Sequence, residues 1–168
     1  MSETRPSGLS VVESDAAVVV QEVAELDERG RLHLLPRWVS RVDWLNSAGK
    51  NDIDALMVLI EPGLIAFHDW KVDGPRIAKR YKDIATSSDA DAFEALRLIE
   101  DRYCRVKITK DRRPHLGDAA LAHLGLPIKR SEKSLVYVVI YPNRIEILSP
   151  AFRNAKLISG THQLDDLP

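Results

Sequence analysis

The 168-residue chain has one cysteine, Cys104, which excludes an internal disulfide and with it a disulfide-stapled secreted scaffold. Aromatic residues are scarce, at 6 %. The three tryptophans, Trp38, Trp44 and Trp70, read as core or interface anchors rather than as base-stacking platforms. No apolar run approaches the roughly 20 residues that span a bilayer, and the polar stretch Met1 to Gly8 lacks the basic-then-apolar order of a signal peptide. These absences point to a cytoplasmic protein without a membrane partner. An excess of positive charge is also missing: 24 Lys and Arg face 25 Asp and Glu. A strongly basic binder is therefore not indicated by the total, and any attraction for a polyanion has to come from local patches.

Catalytic signatures are lacking too. There is no Gly-rich phosphate loop, no Gly-x-Ser-x-Gly and no paired-carboxylate helix motif. None of His33, His68, His115, His123 and His162 forms a pair at zinc-ligand spacing. No catalytic residue, metal or cofactor is expected, and the chain does not read as an enzyme. Cys104, beside Tyr103 at a helix end, reads as a small packing residue.

What the chain does have is alternation. After a polar tail over 1–15, the valine-rich "AAVVVQEVAEL" reads as a strand, Asp27 to Gly30 as a turn and "RLHLL" as a second strand. Pro36 opens a short helix carrying Trp38, Val39, Val42 and Leu45. A hairpin follows, Ala55–Ile60 and Leu64–Trp70 around Pro62-Gly63, where a type II turn needs positive φ at the glycine. Two helices occupy the middle. The first starts at Pro75 and carries Ile77, Tyr81 and Ile84; the second is capped at Ser88, with an apolar stripe of Ala92, Leu96, Ile99 and Tyr103. Then come "RVKIT", a "KDRR" turn, a short "PHL" strand, a helix closed by Gly125, a loop, and a hairpin around Pro142-Asn143. The stretch 151–168 has little pattern.

Both halves therefore run strand, basic turn, short strand, short helix, loop, hairpin, the signature of an internal repeat. Gly30-Arg31 aligns with Arg112-Arg113, His33 with His115 and Leu34 with Leu116. Neither unit buries a face alone. Interleaved in one barrel, they would share a core of Val19, Val23, Leu32, Leu34, Met57, Leu59, Ile65, Val106, Ile108, Leu116, Val136, Val138, Ile140, Ile145 and Ile147.

"LDERGRLHLLPRW" resembles the opening of the AbrB/MraZ superfamily unit: an acidic residue, a Gly-Arg pair, alternating apolar residues and a proline, here Asp27, Gly30, Arg31, Leu32, Leu34 and Pro36. "TKDRRPHLGDAALAHLGL" looks like a worn second copy, and "NRIEILSP" is similar to the family's last strand. In the second unit Thr109 replaces the aspartate, Arg112 the glycine, and Pro114 an apolar residue. The resemblance covers about residues 17–150. It implies a mainly β, α+β fold: two tandem units forming a swapped-hairpin β-barrel, joined by a helical segment. The divisions are a tail over 1–15, a first unit over 16–70, a helical connector over 71–103, a degenerate second unit over 104–150 and a tail over 151–168. The resemblance also implies DNA binding, transcription regulation and homo-oligomers, and hence a nucleoid-associated location.

The basic residues cluster accordingly. Arg29, Arg31, Arg37 and Arg41 belong to the first unit, and Lys110, Arg112 and Arg113 to the second. A guanidinium donates two parallel hydrogen bonds that suit phosphate and guanine alike, and a two-stranded ribbon fits a major groove. These seven are the candidate contacts to double-stranded DNA, with Asp27 and Gly30 fixing the first turn. Lys129 and Arg130 add charge in the following loop. Arg76, Lys79, Arg80 and Lys82 read as a solvated helix face. The matched His33 and His115 suggest either a paired site or exposed strand residues. The alternative to a DNA-binding regulator is a protein-interaction module, antitoxin-like or anti-activator-like, with DNA reading lost. The degenerate second unit and the near-neutral charge favour that alternative.

Overall fold

A computed structural model describes residues 20–128 and 132–156. The expected tail over 1–15, Val19 of the expected core, and Lys129 and Arg130 lie outside the described residues. The elements in order are β1 (Val20–Leu26), α1 (Pro36–Val39), α2 (Asp43–Asn46), β2 (Ile53–Leu59), β3 (Leu64–Asp69), α3 (Trp70–Ala85), α4 (Ala92–Arg102), β4 (Tyr103–Ile108), α5 (Asp118–His123), β5 (Ser134–Ile140) and β6 (Arg144–Leu148). A helical segment, α6, occupies 150–156. The fold is α+β. Its strands form one antiparallel six-stranded sheet in the order β1-β5-β6-β3-β2-β4.

The order exchanges partners between the two halves of the chain. β1 pairs with β5 over its whole length, from Val20 opposite Ile140 to Leu26 opposite Ser134. β4 pairs with β2, from Ile53 opposite Ile108 to Val58 opposite Tyr103. Each half's first strand thus lies on the other half's hairpin, and β3 and β6 meet at the centre with Ala66 opposite Glu146. The short helices cross in the same way. Asp43 N–H of α2 donates to the Pro142 carbonyl (2.8 Å), and Trp44 Nε1 donates to the Asn143 carbonyl (2.9 Å) at the β5–β6 turn. Reciprocally, the last residue of α5, His123, accepts at its carbonyl from Gly63 N–H (2.8 Å) at the β2–β3 turn.

One face of the sheet carries the core. Alternation places Leu26, Ala55, Met57, Ile65, Phe67, Ile108, Val136, Val138, Ile140, Ile145 and Ile147 inward, where Trp38, Val42, Leu45, Leu121 and Leu124 of the short helices close over them. Val23 departs from expectation: it is 53 % exposed. "VVVQEVAEL" is apolar on both faces of a strand, and fully buried Leu26 sets the register, so Val20, Glu22 and Ala24 share its face while Val23 turns out. Leu59 and Val106 are only partly buried, packed against the rim of the core.

Three boundaries also move. Trp70 opens α3 rather than ending a strand, because the Asp69 side chain accepts from Lys71 N–H (3.1 Å) and caps the helix there. Pro75 therefore lies inside the helix. Gly74 sits against the Trp70 indole, where a Cβ would come within 2.4 Å of the ring. The second helix is capped at Asp91, not Ser88. Residues 150–156 are helical where a loose tail was expected; Phe152 N–H donates to Ser149 Oγ (3.1 Å), and the remainder, 157–168, lies outside the described residues.

Candidate nucleic-acid interface

The first turn is built around one carboxylate. Asp27 Oδ1 accepts from the backbone N–H groups of Arg29 (2.9 Å) and Arg31 (3.0 Å), and Oδ2 accepts from Arg31 Nε (2.7 Å). The backbone closes the same loop: Gly30 N–H donates to Asp27 C=O (3.0 Å), and Asp27 N–H to Arg31 C=O (3.1 Å). Gly30 takes φ +76°, the left-handed conformation that glycine adopts without a Cβ penalty. Partial burial opposes ionisation of Asp27, but the donors from Arg31 and Arg29 outweigh it and hold the carboxyl below its ordinary range.

Beyond the turn, the chain meets its counterpart from the second half. Leu32 N–H donates to Pro114 C=O (3.0 Å), Leu34 N–H to Arg112 C=O (2.8 Å), and Leu116 N–H to Gly30 C=O (3.0 Å). Arg31 lies directly opposite His115 in this antiparallel ribbon, and Leu32 bridges back to Leu26 of β1. The register sets His33 opposite Arg113. Leu32, Leu34, Pro114 and Leu116 point inward and are buried; His33, Arg113 and His115 are exposed and Arg31 half-buried on the other side. Arg31, His33, Arg113 and Lys133 then line a concavity of about 300 Å³.

The second turn repeats the backbone of the first with different chemistry. Arg112 occupies the position of Gly30 and takes φ +56°, the single positive-φ residue other than glycine among those described. Its N–H donates to Thr109 C=O (2.8 Å). Its side chain is buried. Nη1 donates to the carbonyls of Asn51 (2.9 Å), Thr109 (2.9 Å) and Ile108 (3.3 Å), and Nη2 to that of Gly49 (2.9 Å). Arg112 is thereby removed from the expected DNA contacts: its donors are spent on backbone carbonyls inside the protein.

The other expected contacts divide. Arg37 is held by Glu22 through its Nε (3.0 Å) and a second, shorter contact from Nη2, and its guanidinium lies 5.9 Å from the Trp38 ring centroid. The hydrogen bond from Arg37 keeps the Glu22 carboxyl below its ordinary range. Arg29, Arg41 and Lys110 are exposed; Lys110 N–H donates to Asp52 Oδ1 (2.9 Å). The ribbon thus brings together Arg31 and Arg113, leaving Arg37 and Arg41 by the short helix α1. Two groups absent from the expected contacts join the pair: His33, whose match with His115 was visible in the repeat, and Lys133, for which the sequence carries no signal. Burial and the neighbouring Arg113 push His33 below its ordinary pKa, against the opposing pull of Asp111. Among the described residues no group of three or more His, Cys, Asp or Glu side chains could hold a metal ion, and no helix is long and apolar enough to cross a membrane. Compared with known proteins, the chain matches no protein-family model and no curated sequence.

Proposed function

We propose that the protein is a DNA-binding transcriptional regulator of the AbrB/MraZ type, acting as a homo-oligomer on a swapped-hairpin barrel of two tandem units. The observation that carries this reading is the ribbon formed by the 30–34 and 112–116 segments, which sets Arg31 and Arg113 from the two halves on one surface. The exchanged pairing of β1 with β5 and β4 with β2 supports the swapped arrangement. In this reading Arg31 and Arg29 reach base edges and phosphates from the first turn, while Arg113 and Lys110 supply phosphate contacts from the second. Arg37 and Arg41 flank the surface. Several weak sites in one oligomer would raise avidity without new contacts.

The test is fluorescence anisotropy with duplex DNA from the gene's own upstream region, across a salt series, for wild type and Arg31→Ala. The reading expects a steep loss of affinity with salt, a preference over random duplex, and weaker binding by the variant. Wild-type binding that is absent at low salt, or unchanged by the substitution, rejects it.

The burial of Arg112 and the acidic neighbours Asp27 and Asp111 favour a second reading, a protein-interaction module on the same fold. A pull-down from which one partner copurifies stoichiometrically, with duplex DNA binding absent, supports that alternative.

A further inference from the structure

The ribbon sets two arginines and two histidines in a four-cornered array with contributions from both halves of the chain. Arg31 faces His115 across the strands, and His33 is close enough to Arg113 for its charge to be felt. Arg113 forms no ion pair among the described residues. Arg31 gives its Nε to Asp27 and keeps a third of its side-chain surface exposed.

The surroundings carry charges of both signs. Lys133 adds a positive charge to those of Arg31 and Arg113 around the concavity. Against them stand Glu25 at the end of β1, Asp27 in the first turn and Asp111 in the second. Exposed Glu28 and Arg29 of the first turn and Lys110 of the second add further charges of both signs, so the field over the ribbon is mixed and protonation of the two imidazoles shifts it toward positive. An anion on this surface gains the attraction of two further positive charges when both histidines are protonated.

We propose that Arg31, His33, Arg113 and His115 form one phosphate-binding site across the two halves of the chain, whose occupancy by a phosphodiester is coupled to proton uptake by the two histidines. The proposal deepens the DNA-binding reading and rests on it for the identity of the ligand as nucleic acid. The site itself requires only the phosphate chemistry that DNA and free phosphate share. By linkage, a ligand that binds the protonated form better raises the pKa of the histidines it touches and binds more tightly as pH falls.

The experiment combines two readouts on the full chain. Anisotropy of a labelled duplex is measured at fixed ionic strength from about pH 8 to about pH 5, an interval that covers an ordinary histidine and one held below that range, as His33 is. Wild type is compared with the His33→Ala/His115→Ala double variant and with Arg113→Ala. The histidine ring protons are then followed by NMR while inorganic phosphate is added. The expected result is an affinity that rises by about tenfold for each histidine whose pKa increases by one unit on binding. The double variant loses that rise, and Arg113→Ala weakens binding throughout. A wild-type affinity that does not change with pH, or a double variant that keeps the rise, overturns the proposal. If the duplex does not bind at any pH, the NMR titration decides. Phosphate-induced shifts confined to His33 and His115 would uphold the site and reject the DNA reading; no shift rejects both.

Discussion

The two turns share a backbone and differ in how the left-handed residue is tolerated. At the first turn Gly30 meets the positive φ with no side chain, and Asp27 organises the loop from outside. At the second, Arg112 accepts the strained conformation, and its side chain turns inward to satisfy four carbonyls. A non-glycine residue in this region costs roughly 1–2 kcal/mol, while hydrogen bonds to a charged group contribute about 1.5–3 kcal/mol each, so the bonding outweighs the strain. One turn keeps a light, solvent-facing hairpin tip, and the other has become an anchor tying the loop at 49–51 to the end of β4. A basic residue in sequence is thus no measure of basic surface.

The largest effect that breaks the comparison is expected for Arg112→Ala. It removes the side-chain donors to four backbone carbonyls while keeping a Cβ at positive φ, and should cost about 3 kcal/mol or more in urea unfolding, since each buried acceptor left without a donor costs about 1–3 kcal/mol. Arg112→Gly loses the same hydrogen bonds but relieves the strain, and should be more stable than the alanine variant by about 1 kcal/mol. An alanine variant equal to or better than the glycine variant would show that the backbone at the second turn is not strained. Gly30→Ala should cost about 1–2 kcal/mol, since the same φ is imposed with no compensating donor.

Asp27→Asn gives a smaller effect with a distinct pH signature. The carboxyl is held below its ordinary pKa in the folded protein, so its contribution is fully present above the unfolded value and is lost as pH falls through the lowered folded value. The difference in stability between wild type and variant should shrink on acidification below about pH 4, the ordinary carboxylate range. A difference that persists undiminished there removes the assigned role of the charge. The smallest effect is expected for Val23→Thr, within about 0.5 kcal/mol in the same urea assay because the side chain faces solvent. A loss above about 1 kcal/mol would place Val23 in a buried contact, in keeping with its sequence-based place in the core.

How much of this was legible follows from the distance over which each feature is determined. The Asp27–Arg31 turn, the two hairpins and the helix stop at Gly125 (φ +73°) depend on neighbouring residues, and their signals are local. The alignment of Gly30 with Arg112 also has a counterpart in the matched backbone. The fate of Arg112 was not legible, because half its acceptors come from Gly49 and Asn51 in the other half of the chain. Val23 was misplaced because four valines and an alanine offer either face, and only the burial of Leu26 resolves the choice. The start of α3 was misread because Pro75 is the stronger sequence cue, whereas the Asp69 cap and the fit of Gly74 under Trp70 act through side-chain geometry.

The exchanged pairing of the strands has a consequence for how the chain comes into being. Val20 finds its partner at Ile140 of β5, which is made long after it. At a synthesis rate of about 5–20 residues per second, the first strand waits on the order of ten seconds for the segment that will cover it. During that interval the nascent first half has a complete hairpin, an unpaired valine-rich strand and half of a core. Until the last hairpin emerges, the nascent chain therefore offers apolar surface to aggregation and to chaperones.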